Sequence, residues 1–155
     1  MSPSNQVLLA EQHRVMELGI SGLVDGSGSR QELSEAVYLL RQHIYVEEAF
    51  LFPIIEQDQG RWMALSQMQS DHGDMWPHIE SAIELLQAKA PLDDLFTAAQ
   101  AMLKLLETHD HREETAIYSV ADRYVVDANH PSLESLFVAS DIPPDWRCLR
   151  APEQA

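Results

Sequence analysis

"HIYVEEAFLFP" (residues 43–53) sets a histidine, two glutamates and a proline inside an otherwise apolar run. A second stretch, "HDHREETAIYS" (residues 109–119), repeats the spacing. His43, Glu47, Glu48 and Phe52 in the first correspond to His109, Glu113, Glu114 and Tyr118 in the second. Residues four apart stand one turn apart on the same side of a helix. In both stretches that side carries the apolar residues and should be buried. A buried carboxylate is costly unless it is paired or bound to a metal.

Outward from these two stretches, apolar residues recur at helical spacing in four segments separated by short breakers. The first is expected over residues 5–24, capped by Ser4, with Leu9, His13, Met16, Ile20 and Leu23 in line. "DGSGSR" breaks it. The second is expected over 31–57, with Pro53 kinking it or ending it early. The third, over 62–89, carries Leu65, His72, Trp76 and Ile79 in line and should bend at Pro77. The fourth, over 93–125, aligns Met102, Leu106, His109, Glu113 and Ile117. No stretch alternates with a period of two. The expectation is an all-α protein, an antiparallel up-down-up-down four-helix bundle. Residues 1–125 form the bundle in this reading, and 126–155 a C-terminal extension, packed on it or partly mobile. "SLESLF" should add a turn or two of helix to that extension, and "SDIPPDWRCLRAPEQA" an irregular tail.

The chain has 155 residues, 45% of them hydrophobic, enough for one domain with a real core. A net charge of -15 argues against nucleic acid or an anionic membrane as partner. The lone Cys148 excludes an intramolecular disulfide and any Cys-rich zinc or iron–sulfur site. "MSPSNQVLLAEQH" turns polar too soon for a signal peptide, and no apolar run is long enough to span a membrane. A cytoplasmic location is expected.

Every core stripe contains a histidine, and two contain a glutamate. Singly, each histidine reads as a satisfied core residue. Their heights argue otherwise. His13 lies 12 residues before Asp25 and His43 lies 13 after Arg30; Glu47 lies 11 before Asp58 and His72 lies 11 after Arg61. His72 lies 18 before Ala90 and His109 lies 17 after Leu92. In an antiparallel bundle these side chains meet at one level. Four imidazoles and two carboxylates are too many protein groups for one tetrahedral zinc. They suit two metals, each with two histidines, bridged by both carboxylates. Mixed nitrogen and oxygen donors favour non-haem iron or manganese over magnesium.

His13, "HIYVEE", "SDH" at 70–72 and "HDHREE" together resemble the hemerythrin-like, HHE cation-binding domain family. The resemblance covers about residues 5 to 125. It implies a four-helix bundle around two non-haem iron ions in an Fe–O–Fe type centre, with zinc or manganese ranking behind iron. It makes His13, His43, His72 and His109 terminal ligands and Glu47 and Glu113 bridges. It also implies that His13 and His109 share one iron while His43 and His72 share the other. The chain departs from oxygen-carrying members, which usually have a second histidine four residues along the third helix and an aspartate bridge on the fourth. Trp76 and Glu113 stand there instead. The four-histidine, two-glutamate pattern is closer to bacterial di-iron proteins that repair iron–sulfur clusters, without their N-terminal cysteine-bearing domain. These departures weigh against dedicated oxygen transport and against cluster repair.

One residue turns a helix by about 100°, so Glu48 and Glu114 are expected at the surface. His111 and His78 also fall off the stripe. Tyr38, Tyr45, Trp62 and Trp76 read as packing residues, with Trp76 as a pocket wall, and Met16, Met68, Met75 and Met102 as core filler. Cys148 has no base near it in sequence. The function expected is a di-iron protein that binds or reacts with dioxygen, nitric oxide or peroxide, in sensing, scavenging, storage or defence. The alternatives are an oxidase or peroxidase at the same centre and an interaction module with a structural metal such as zinc. A ligand-binding role ranks ahead of turnover.

Overall fold

The computed structural model describes residues 4–124, 132–139 and 141–153. The described residues contain helices and no strand. Four long segments carry the fold: α1 (Asn5–Asp25), α2 (Arg30–Val46), α4 (Met63–Gln87) and α5 (Leu92–Ala116). A wide π-helical turn, Glu47–Leu51, joins α2 to α3 (Phe52–Gln59). The short α6 (Tyr118–Ala121) follows α5, and α7 (Leu133–Ala139) lies in the extension. α1 packs on α2 and α5, and α4 packs on α5 and α2, so the long helices close a ring of neighbours.

Local chemistry sets the ends. Ser4 Oγ accepts from the N–H of Val7, and Ser29 Oγ from that of Glu32, each satisfying an orphan donor of a first turn. Gly26, at φ 83°, supplies the left-handed residue that stops α1. The second expected helix, over 31–57, is a composite. A proline in a regular helix clashes with the carbonyl four residues back. Before Pro53, the N–H of Phe52 reaches back five residues to the carbonyl of Glu47, widening the turn. The fourth expected helix breaks at Ile117, and its expected end at Val125 lies outside the described residues, as does the expected boundary at 125/126. Pro77 sits inside α4.

The core has two parts. One gathers Met16, Ile20, Leu40, Ile44, Met75, Trp76, Met102 and Leu106. The other gathers Leu9, Leu51, Phe52, Met68, Ile117 and Tyr118. Along each long helix the candidate ligands fall between the two: His13 between Leu9 and Met16, His72 between Met68 and Met75, His109 and Glu113 between Leu106 and Ile117. The expected common level is therefore a polar layer between two apolar ones. No helix among the described residues is long and apolar enough to cross a membrane.

The segment 141–153 is irregular and crosses α4 at Gly73. A Cβ there would come within 2.5 Å of the Arg150 carbonyl oxygen, so a side chain must displace backbone. Gly73→Ala should therefore cost about 1–3 kcal/mol, the usual range for overpacking. Limited proteolysis should cut the variant faster near Arg147 and Arg150 than the wild type.

Candidate metal centre

All six predicted ligands are buried and lie together. Glu47 and Glu113 face each other, with the imidazole Nε2 atoms around them. His43 Nε2 is 3.2 Å from Glu47 Oε2, and His72 Nε2 is 3.4 Å from Glu47 Oε1. Glu113 Oε1 lies 3.1 Å from His13 Nε2 and 3.5 Å from His109 Nε2. Two sets of donor atoms result, each within 4.8 Å of one another: Glu47, His72, His109 and Glu113; and His13, His43 and Glu113.

The expected pairing of histidines is corrected by these distances. Ring centroids separate His13 from His43 by 4.9 Å and His72 from His109 by 4.8 Å, against 6.3 Å for His13 and His109. The pairs come from α1 with α2 and from α4 with α5, consecutive long helices packed on each other.

The outer nitrogens explain why the inner ones point inward. His72 Nδ1–H donates to Glu48 Oε2 at 2.6 Å, His43 Nδ1–H to Gln12 Oε1 at 2.7 Å and His109 Nδ1–H to Asp71 Oδ2 at 3.1 Å. Asp71 is itself held through Oδ1 by Arg112 and Gln67, each at 2.9 Å. A hydrogen bond at Nδ1 fixes the tautomer and leaves the Nε2 lone pair free to ligate. The expectation that Glu48 is a surface charge is thus corrected: its side chain is nearly buried against His72. Glu114 is well exposed, His111 is exposed and His78 half-buried.

Tyr118, Asp110, Asp71 and Gln12 belong to the site without having been singled out. The Tyr118 hydroxyl donates to Glu113 Oε1 at 2.6 Å and lies 3.0 Å from Glu47 Oε2. It is also 2.8 Å from His13 Nε2 and 2.9 Å from His43 Nε2. The aromatic repeated after each Glu-Glu pair was the available signal. A residue five places after Glu113 would lie off its face in a regular helix; the break at Ile117 turns it inward. Asp110 is buried, with Oδ1 3.2 Å from His13 Nε2.

Among the described residues, Glu47 Oε1, Glu113 Oε2, His72 Nε2 and both Asp110 carboxylate oxygens are buried without a hydrogen-bond partner. Such atoms are rare in folded proteins because each loses its hydration uncompensated. Cations between the imidazoles and carboxylates would satisfy them, so the donor set fits metal. The family model for the hemerythrin HHE cation-binding domain matches residues 6–121. The chain belongs to that family. No curated protein and no solved structure matches it.

Without a cation, this hemerythrin-domain protein holds protons on its histidines. Burial works against the charged imidazoles, but Glu47 and Glu113 outweigh it. His43 is pushed up to about 10, His109 well above the ordinary imidazole value, and His72 upward through Glu47 and Glu48. Despite burial and mutual repulsion, the histidines hold Glu47 below the carboxylate range and Glu113 well below it. Burial pushes Asp110 up to about 9.

A raised histidine contributes stability fully below its unfolded value, about 6.5, and loses it as pH rises through the folded value. The metal-free protein should therefore lose thermal stability between pH 6.5 and about 10, with His43 setting the upper end. Asp110 acts in the same direction as it ionises toward about 9. Metal replaces those protons, so the loaded protein should show a flatter profile. Parallel thermal midpoints for the two forms would contradict this account.

Glu47→Ala and Glu113→Ala should lose most bound metal in elemental analysis. Glu48→Ala should weaken retention about tenfold by freeing His72 Nδ1, and Glu114→Ala should stay close to wild type.

Proposed function

We propose that this chain holds two non-haem iron ions and uses them to bind or react with a small oxidant, dioxygen first, then nitric oxide or peroxide. The observation that carries the reading is the sharing of carboxylates between two histidine pairs. Glu113 belongs to both donor sets, and the two oxygens of Glu47 approach His43 and His72, one from each pair. Bridging glutamates with two terminal histidines on each side follow from that arrangement. The helices carrying them run up-down-up-down, with residues 1–125 as the bundle and 126–155 as its extension.

When bound, reduced iron supplies electrons and open coordination positions to the oxidant. The protein's own part is to orient, to exclude water and to hold protons. Gln12, Glu48 and Asp71 hold three imidazoles by their outer nitrogens. The apolar layers above and below keep the dielectric low, strengthening each electrostatic contact. The Tyr118 hydroxyl provides one proton beside both bridging carboxylates. His13 and His43 stand within hydrogen-bond distance of that hydroxyl, so a polar ligand entering their side meets a phenol, not an apolar wall. Sensing, scavenging and defence in the cytoplasm all fit a centre of this kind.

Protein produced in iron-replete medium should contain close to two irons per chain. After reduction with dithionite it should change its visible spectrum on admission of air, moving to an oxidised state that azide or nitric oxide perturbs. A colourless protein with one firmly held zinc, inert to all three, would replace this reading with a structural-metal role.

A further inference from the structure

The segment 141–153 follows the family-matched residues and lies against α2 and α4. Arg147 forms a two-pronged pair with Glu80 at 2.7 and 2.9 Å. Arg41 donates to the Trp146 carbonyl at 3.3 Å and Arg150 to Ser66 Oγ at 2.8 Å. The Trp146 ring meets Tyr45 and Trp76 edge-on, at centroid distances of 5.0 and 5.3 Å.

One contact of this segment reaches the candidate centre. The backbone N–H of Leu149 donates to Glu48 Oε1 at 2.9 Å, and Glu48 Oε2 accepts from His72 Nδ1 at 2.6 Å. A single carboxylate thus joins the backbone of the extension to an imidazole whose Nε2 faces Glu47. We infer that Glu48 is a positioning residue for His72 and that the docked 141–153 segment holds it in that role, setting how tightly the metal beside His72 is kept. The inference rests on the proposed role of His72 as a ligand.

The three tethered imidazoles are not held alike. His109 leans on Asp71, whose other oxygen is fixed by Arg112 and Gln67 within the bundle. His43 leans on the neutral amide of Gln12. The second oxygen of Glu48 is engaged by the extension. A cavity of about 350 Å³, lined by Glu48, Pro53, Gln69, Trp146 and Leu149 among others, lies beside it. With the Leu149 N–H gone, Glu48 has room to swing away from His72. The imidazole then loses the anionic acceptor that orients it and raises its basicity. The Leu149 side chain is largely exposed, so the tether is a property of its backbone.

The test uses the full-length, iron-loaded protein and follows ferrous iron release into a chelator. Leu149→Pro removes the N–H, whereas Leu149→Ala keeps it. Glu48→Gln needs no change in the extension: an amide oxygen is a poorer acceptor than a carboxylate, and its nitrogen cannot accept a second N–H. Leu149→Pro and Glu48→Gln should each speed release of one of the two irons about tenfold, leaving the other at its wild-type rate. Leu149→Ala should match wild type. Metal-free Glu48→Gln should melt near the metal-free wild type, separating ligand positioning from general loosening. Release within twofold of wild type in Glu48→Gln, or equal acceleration of both irons, overturns the inference and leaves the two-iron reading standing. A wild-type chain that takes up no metal overturns both.

Discussion

Two carboxylates, Glu47 and Glu113, lie side by side where water does not reach them. Each raises the free energy of the other's charge, and burial adds to the cost. Nothing in the two apolar layers can offset that. The compensation comes from four imidazoles, protonated when no metal is present and freed as ligands when it is. The ring of helices places those imidazoles, and the outer acceptors Gln12, Glu48 and Asp71 aim three of them.

The same constraint links folding to function. The groups that would bind metal are those that keep the metal-free interior tolerable, because protons stand in for cations there. Metal uptake must displace protons from His43, His72 and His109, all held upward by neighbouring carboxylates. The interior accommodates positive charge in either form, and the two forms differ in what carries it.

The central layer was legible in the sequence because helical geometry is regular. A four-residue step sets His43 with Glu47 and His109 with Glu113, and equal distances to the loops set their level. Legibility stopped where regularity did. Glu48 was read as a surface charge from its 100° offset, but the π-turn begins at Glu47 and the extension covers that flank. Tyr118 was off-face by helical phase until the break at Ile117 turned it in. The pairing of histidines was taken from resemblance, and it depends on which helices pack most closely, which spacing along the chain does not report. Gln12, Asp71 and Asp110 lie next to His13, His72 and His109, and only the packing of neighbouring helices distinguishes them from ordinary surface polar residues.

The wide turn at Glu47–Leu51 also constrains how the chain can vary in length. It holds about one residue more than a regular helix would over the same rise. Removing a residue such as Ala49 would let the helix close up, but it would rotate everything downstream by about 100°. Phe52, stacked on His72 at 5.9 Å, would leave that ring, and Pro53 would meet a regular helical carbonyl. An added residue would rotate α3 the other way. The turn therefore acts as a counted spacer between Glu47 and the apolar cap over His72, and substitutions are easier to absorb there than insertions or deletions.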